Sequence, residues 1–288
     1  MKVAVIGANG QLGSDICQSF SNTCEIVSLT HNDIEISDID SVKKIIRSIK
    51  PSIVINTAAF HDVIKCEENP ELSFQINGIG SLNLARLSND LGYILVHYST
   101  DYVFNGLKRT PYIEEDRENP LNIYAVTKLS GEHLIKNNCE KYYIIRISGI
   151  YGKVPCRAKG GNFITTMIKL SKEKPKVKVV NDEILTPTPT TEISNNTLIL
   201  IQNANYGIYH MTSEGQCSWF DFAKVIFKTL GLATPLEPCS YEEFPSPVKR
   251  PRYSVLENQR LKMANVNYMK HWKEGLINFL KDNYNLCQ

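Results

Sequence analysis

The chain has 288 residues, 42% of them hydrophobic and 22% charged, with a formal net charge of +2. That is enough apolar material for one large domain or two joined lobes, and the balanced charge argues against nucleic acid or a membrane surface as partner. No apolar run is long enough to span a bilayer, the start MKVAVIGANG lacks the layout of a signal peptide, and the eight cysteines are scattered without a CxxC pair. The expectation is a cytoplasmic protein with reduced thiols and no metal site.

In chain order, residues 3–6 are a β-branched run, 13–20 read as a helix opening after glycines, 25–29 as a strand and 39–49 as a helix. After Pro51, residues 53–56 read as a buried strand, 70–91 as one long helix, 94–98 as a strand, 124–136 as a helix and 142–147 as a strand. Strands apolar on both faces, alternating with helices, predict an α/β protein with a doubly wound parallel sheet of Rossmann type over residues 1–150. Beyond 150 the pattern is broken by Gly152, Gly161, Pro187, Pro189, Pro245, Pro247 and Pro251, with helical stretches near 163–172, 191–203, 218–230 and 272–283. Residues 151–288 are therefore expected to form a smaller mixed C-terminal lobe for substrate, with some segments returning to the Rossmann domain. Lys172, Lys174, Lys176 and Lys178 alternate through a Pro-containing segment and read as a solvated edge.

Gly7-Ala8-Asn9-Gly10-Gln11-Leu12-Gly13 follows the first strand directly and opens a helix. Glycines permit the tight turn and close approach of the backbone to a pyrophosphate, and helix N–H groups stabilise its charge. This strand–turn–helix context predicts dinucleotide binding. The second strand should end near Thr30, where an acid would read a ribose hydroxyl and an Arg a 2′-phosphate. Thr30-His31-Asn32 supplies neither, and Asp33 lies beyond the strand end, so NADPH and NADH both stand as cofactors.

Tyr124-Ala-Val-Thr-Lys128 puts a phenol and an ammonium on one helix face. Hydride reduction of a ketone needs a proton donor at the developing alkoxide. A nearby lysine cation favours phenolate and would lower the tyrosine pKa from its ordinary value of about 10. The strand before that helix ends His97-Tyr98-Ser99-Thr100-Asp101. A hydroxyl there, from Ser99 or Thr100, can bond a substrate carbonyl, because open α/β sheets bind ligands at strand C-termini.

GANGQLG (7–13), INTAAF (55–60), HYSTDYVFNG (97–106), PLNIYAVTKLSGE (120–132), RISGIYG (146–152), VVNDEILTPT (179–188) and RPRYSVLEN (250–258) together resemble the extended short-chain dehydrogenase/reductase family, and within it the dTDP-4-dehydrorhamnose reductases. The resemblance implies reduction of the 4-keto group of a nucleotide-linked 6-deoxy-sugar by NADPH or NADH, with a nucleotide-sugar substrate as partner and a homodimer as a further expectation. It implies Thr100, Tyr124 and Lys128 as the catalytic set. Gly7, Gly10, Gln11, Leu12 and Gly13 would hold the pyrophosphate, with Glu35 and Ile36 near the adenosine and Ala58, Ala59 and Tyr98 lining the cofactor cleft. Val63, Asp101, Gly149 and Arg250 would lie near the sugar.

Three places depart from the family pattern. Thr30-His31 replaces the usual strand-end region. Gly149 stands where relatives carry a Trp, which predicts an enlarged pocket. His61-Asp62 replaces small residues, and reads as a solvated loop or a polar pair meeting a different sugar substituent. Asp15 stands where relatives carry an acid linked to a metal-bridged dimer, with a helix-dipole role as the simpler reading. A sugar-nucleotide epimerase or dehydratase, and a non-catalytic regulatory subunit resembling that of methionine adenosyltransferase, remain as alternatives. Asp101-Tyr102 after Thr100, in place of an acid pair, speaks against dehydration.

Overall fold

The computed structural model describes residues 1–156, 160–244 and 246–284; Pro245, singled out above, and Cys287, one of the eight cysteines, lie outside the described residues. The order is β1 (Lys2–Ile6), α1 (Gln11–Phe20), β2 (Glu25–Leu29), α2 (Ile39–Ile49), β3 (Ile53–Asn56), α3 (Val63–Glu68), α4 (Pro70–Ser73), a π-helical segment (Phe74–Ile79) and α5 (Gly80–Leu91). β4 (Ile94–Thr100), a 3₁₀ turn (Asp101–Val103), α6 (Ile123–Asn138) and β5 (Tyr142–Ile147) follow. The rest is α7 (Phe163–Glu173), β6 (Val177–Val180), β7 (Ile184–Leu185), α8 (Thr190–Asn203), β8 (Gly207–His210), β9 (Cys217–Ser218), α9 (Trp219–Leu230), β10 (Leu236–Cys239), α10 (Gln259–Met263) and α11 (Trp272–Asn283).

Six strands form one parallel sheet in the order β2-β1-β3-β4-β5-β8. The chain winds one way from β1 to β2 and the other way from β3 onward, so a crevice opens beyond the strand ends between β1 and β3. One face packs Val3, Val5, Val96 and Tyr98 against Leu12, Ile16 and Phe20 of α1 and Ile193 and Leu200 of α8. The other packs Ala4, Ile6, Val54 and Leu95 against Val42 and Ile46 of α2, Leu84 and Leu87 of α5 and Ile135 of α6. This is the doubly wound sheet of Rossmann type that the alternating pattern predicts, with α8 and β8 completing it from late in the chain.

A second core gathers Ile164 and Met167 of α7, Phe222 and Ile226 of α9 and Leu276 and Phe279 of α11 around Tyr151. β6 pairs with β10 in parallel and β7 with β9 antiparallel. Lys176 and Lys178 are ion-paired with Glu237 and Glu243 at 3.0 and 2.8 Å, as a solvated edge requires.

The single helix expected over 70–91 is instead α4, the π-helical segment and α5. Inside the π-helical segment Asn77 is fully buried. Its side chain holds Phe60 by a two-way bond, each at 2.9 Å, and donates to Thr127 Oγ1 of α6 at 3.0 Å. The local widening thus presents a polar side chain to two other elements, a common use of π-bulges.

Candidate active site

The turn after β1 needs a glycine at its first position. Gly7 has φ +81°, and a Cβ there would stand 2.6 Å from Thr57 Oγ1. Gly10 N–H bonds back to Gly7 O at 2.9 Å. Gly10 then caps α1 with no side-chain acceptor, which leaves the helix start suited to an external anion. Leu12 packs in the core and the Gln11 side chain turns to Gly152 O at 3.5 Å, so these two have their main-chain N–H groups to offer. The cradle fits a dinucleotide pyrophosphate.

β2 stops at Leu29. Thr30 N–H and Oγ1 both donate to Asp33, at 2.8 and 2.7 Å, so that acid is folded back onto the strand end. Glu35 accepts from Ser37 N–H and Oγ at 3.0 and 2.7 Å and faces His31 at 3.3 Å. Ile36 is buried beneath Gly80. Ala58 N–H donates to Asn56 Oδ1 at 3.1 Å, and Ala59 O meets His61 Nδ1 at 3.2 Å. Asp62 caps α3 through Ile64 and Lys65 N–H, where a solvated loop was the expectation. His61 Nε2 lies 3.2 Å from Cys156 Sγ. Val63, first residue of α3, is buried.

Thr100 ends β4. Its Oγ1 accepts from Tyr102 N–H at 3.2 Å, capping the 3₁₀ turn, donates to Asp101 Oδ1 at 3.1 Å, and lies near enough to the Tyr124 phenol to favour its ionised form. Ser99 Oγ is buried and has no partner among the described residues. Tyr124 opens α6 beneath Asn122, which caps the helix through Ala125 N–H at 2.9 Å. Its ring meets Tyr102 edge-on, with centroids 6.1 Å apart.

Lys128 is buried on the next turn. Its Nζ donates to Tyr98 O at 2.6 Å and lies 3.1 Å from His97 Nε2. Burial lowers its pKa to about 8, against the opposing pull of Glu132. Burial pushes the Tyr124 phenol well above the ordinary tyrosine value, with Thr100 pulling it down and Asp101 and Cys66 adding to the rise. The lysine that was expected to lower that pKa is not among the groups acting on it. An amine that loses its proton near 8 is no longer a cation where the phenol would ionise.

Tyr98 corrects another expectation. Strand side chains alternate between faces, and its ring lies in the core with its hydroxyl 2.8 Å from Thr197 Oγ1 of α8. What it brings to the site is its main-chain carbonyl. His97, on the opposite face, points towards α6.

Asp101 is buried and receives hydrogen bonds from two hydroxyls, Thr100 at 3.1 Å and Ser148 at 2.8 Å, and the Ser254 hydroxyl of the C-terminal segment also favours its ionised form. Burial outweighs these bonds and raises its pKa to about 6. It ties the ends of β4 and β5 to the C-terminal segment. That segment is stitched in by Tyr112 N–H to Val255 O and Ile184 N–H to Arg252 O, each at 2.8 Å, and it brings Arg250 to Tyr102 and to the buried Glu183. Burial raises the Glu183 pKa and Arg250 opposes the rise.

Gly149 has φ +52°, and a Cβ there would stand 2.9 Å from Leu185 Cδ1 and 3.2 Å from Pro187 Cα. The pocket expected from a missing aromatic is not left open in that direction: Leu185 and Pro187 fill it. Asp15 is likewise neither a surface metal ligand nor a first-turn acid. It is buried on α1 and accepts from Thr190 of α8.

Residues 1–285 match the family model described as RmlD substrate binding domain. The chain belongs to this family. It is 38% identical over 287 residues to the spore coat polysaccharide biosynthesis protein SpsK of Bacillus subtilis, covering 99% of each chain. It is 34% identical to the dTDP-4-dehydrorhamnose reductase of Burkholderia thailandensis, covering 91% of this chain and 92% of that one. Among solved structures, the dTDP-4-dehydrorhamnose reductase of Clostridium acetobutylicum superposes with a TM-score of 0.93 at 41% identity, over 98% of this chain and 99% of that one. The Bacillus anthracis enzyme of the same name, described in complex with NADP, gives 0.93 at 36% identity, with the same coverage.

Asn56, His97, Asn77 and Glu183 are the polar residues of the site that motif spacing did not pick out. For His97 a signal existed: the alternation of β4 puts it on the face of α6, opposite Tyr98.

Proposed function

We propose that this chain is an NADPH-dependent reductase of a nucleotide-linked 4-keto-6-deoxyhexose, converting dTDP-4-dehydro-L-rhamnose to dTDP-L-rhamnose. The observation that carries the reading is the placing of the Thr100 hydroxyl, at the C-terminal end of β4, beside the half-buried Tyr124 phenol, one helical turn from Lys128. The relatives named dTDP-4-dehydrorhamnose reductase support the substrate class, and the NADP complex of one of them supports NADPH.

A bound nicotinamide would supply hydride to C4 of the sugar. Tyr124 gives its phenolic proton to O4, and Thr100 Oγ1 holds that oxygen in line. Gly7, Gly10 and Gly13 shape the turn that brings the pyrophosphate to the main-chain N–H groups of Gln11 and Leu12, Glu35 and Ile36 lie beside the adenosine, and Ala58 and Ala59 line the cleft. Val63, Asp101, Gly149 and Arg250 border the sugar. On this reading residues 1–150, with α8 and β8, hold the dinucleotide, and most of 151–288 holds the sugar nucleotide. We place the reaction in the cytoplasm, consistent with the free thiols of Cys17, Cys24, Cys66, Cys139, Cys217 and Cys239.

The test is oxidation of NADPH and NADH against a panel of nucleotide 4-keto-6-deoxysugars. Stoichiometric NADPH consumption with the rhamnose precursor is expected. Redox-neutral turnover, or none with any member of the panel, overturns the proposal.

A further inference from the structure

Hydrogen-bond polarity around Lys128 can be worked out from one donor that cannot reverse. Ala58 N–H is main chain and gives its proton to Asn56 Oδ1 at 3.1 Å. The other end of that amide, Nδ2, therefore faces His97 Nδ1, at 3.2 Å. An amide nitrogen only donates, so His97 Nδ1 is bare. His97 is fully buried, and burial is the main force that drives its pKa well below the ordinary histidine value. A neutral imidazole carries one proton, which here sits on Nε2 and points at Lys128 Nζ, 3.1 Å away. Only a neutral amine has the lone pair to receive it. The same nitrogen donates one hydrogen to Tyr98 O at 2.6 Å and keeps one more.

An ammonium at Lys128 calls for the opposite arrangement. It donates to His97 Nε2, so the imidazole proton moves to Nδ1, where it meets the hydrogens of Asn56 Nδ2. Turning the Asn56 amide over relieves that clash, but it sets NH₂ against Ala58 N–H. A buried donor left without its acceptor costs about 1–3 kcal/mol.

We propose that Asn56 and His97 are positioning residues that set the charge of Lys128: the amine is paired with the Nε2–H tautomer of His97, the ammonium with the Nδ1–H tautomer and a reversed Asn56. One proton, drawn from solvent, accompanies each ammonium formed, and His97 changes tautomer with no net gain. The inference rests on the reading of Lys128 as a dinucleotide-site residue, and it adds a consequence. Ligand acceptors that favour the ammonium are coupled, through Ala58 N–H, to the loop that follows β3.

The other charged and titratable groups on and around α6 include Glu67, whose carboxylate accepts from Ile123 N–H at 2.8 Å, and His133, which acts on Glu118. Glu132, one turn on, is ion-paired with Arg146 of β5. Asp101 and Tyr102 approach from the 3₁₀ turn and Cys66 from α3, and of these Asp101 and Cys66 act on Tyr124. Arg86 of α5 is exposed.

Nitrogen-15 NMR of protein labelled at histidine and lysine, followed from about pH 6 to 10, reads both partners at once. The ring nitrogens of His97 should exchange roles as Lys128 loses its proton, with Nε2–H at high pH and Nδ1–H at low pH. A single His97 tautomer through the Lys128 titration overturns the proposal. Asn56→Asp supplies a carboxylate that accepts from Ala58 N–H and His97 Nδ1–H together. It should hold the Nδ1–H tautomer throughout and move the Lys128 titration up by about one pH unit. If the titration moves while His97 keeps the Nε2–H tautomer, the added charge alone is acting and the proposal fails. These spectra need no turnover, so a negative sugar panel and a negative tautomer result are separate outcomes.

Discussion

Arg146, fully buried on β5, grips Glu132 of α6 from Nε at 3.0 Å and from Nη2 at 2.7 Å. Its Nη2 also meets Glu118, and its guanidinium lies 5.2 Å from the centre of the Phe104 ring. The clamp fixes α6 one turn beyond Lys128, so the helix that carries both Tyr124 and Lys128 is pinned to the sheet by charge as well as by packing. Replacing Arg146 with Met strands the buried Glu132 and should cost about 3–5 kcal/mol in denaturant unfolding. Adding Glu132→Leu should return most of that loss. Additive losses in the double variant would show that the two side chains act independently.

Tyr124→Phe keeps the ring against Tyr102 and removes the hydroxyl that carries the proton. NADPH binding should stay within a few-fold of the parent, while turnover falls at least about a hundredfold, the scale of a general acid. Near-normal kcat in this variant removes Tyr124 from the reaction.

Asp101 predicts a pH dependence with a definite sign. Its folded pKa, about 6, lies above the ordinary 3.8, so folding favours the protonated form. The stabilisation is complete below the ordinary value and is lost as pH rises through about 6. Asp101→Asn does not titrate. It should therefore gain on the parent by up to roughly 3 kcal/mol between pH 4 and pH 8, read from urea unfolding at several pH values. The other acids with raised pKa values, Asp15, Glu114, Glu183 and Glu192, are common to both proteins and cancel. Parallel curves would place the Asp101 pKa in the normal range.

Gly149→Ala meets both a positive φ and the Leu185 side chain. It should cost about 1–3 kcal/mol. Leu185→Ala in the same chain removes the clash but not the backbone strain, so it should recover part of the loss. A double-mutant cycle measures that coupling, and zero coupling would mean that the strain lies wholly in the backbone.

Much of the sheet was legible from periodicity. The spans of β2, α2, β3, β5 and α11 were readable to the residue, because buried β-branched runs and the apolar helix stripe end at Pro51, at a left-handed Lys50 or at polar turns. The π-helical segment was not readable, since one extra residue in a turn leaves the local apolar pattern almost unchanged. The strands β6, β7, β9 and β10 are two to four residues long and exist only through distant pairing. Within the site, spacing brings Tyr124 and Lys128 to one helix and the glycine loop to a helix start. It does not reveal that Lys128 meets a histidine 31 positions away, or that this histidine meets an asparagine 41 positions before it. Nor does it reveal that Leu185 fills the space beside Gly149.

The bond of Thr190 to Asp15 joins residues 175 positions apart, and Ser194 Oγ donates to the Asp15 carbonyl at 3.0 Å across 179. During synthesis at about 5–20 residues per second, α1 waits roughly 9 to 35 s for its partner helix. Throughout that interval the Asp15 and Ser19 side of α1 lacks its partners on α8, and the sheet still lacks β8. The nucleotide half is thus not a module that matures first and then accepts a second half. It closes only when the late helix arrives, so a nascent chain arrested before residue 203 should be held by chaperones and degraded rather than released as a stable dinucleotide-binding fragment.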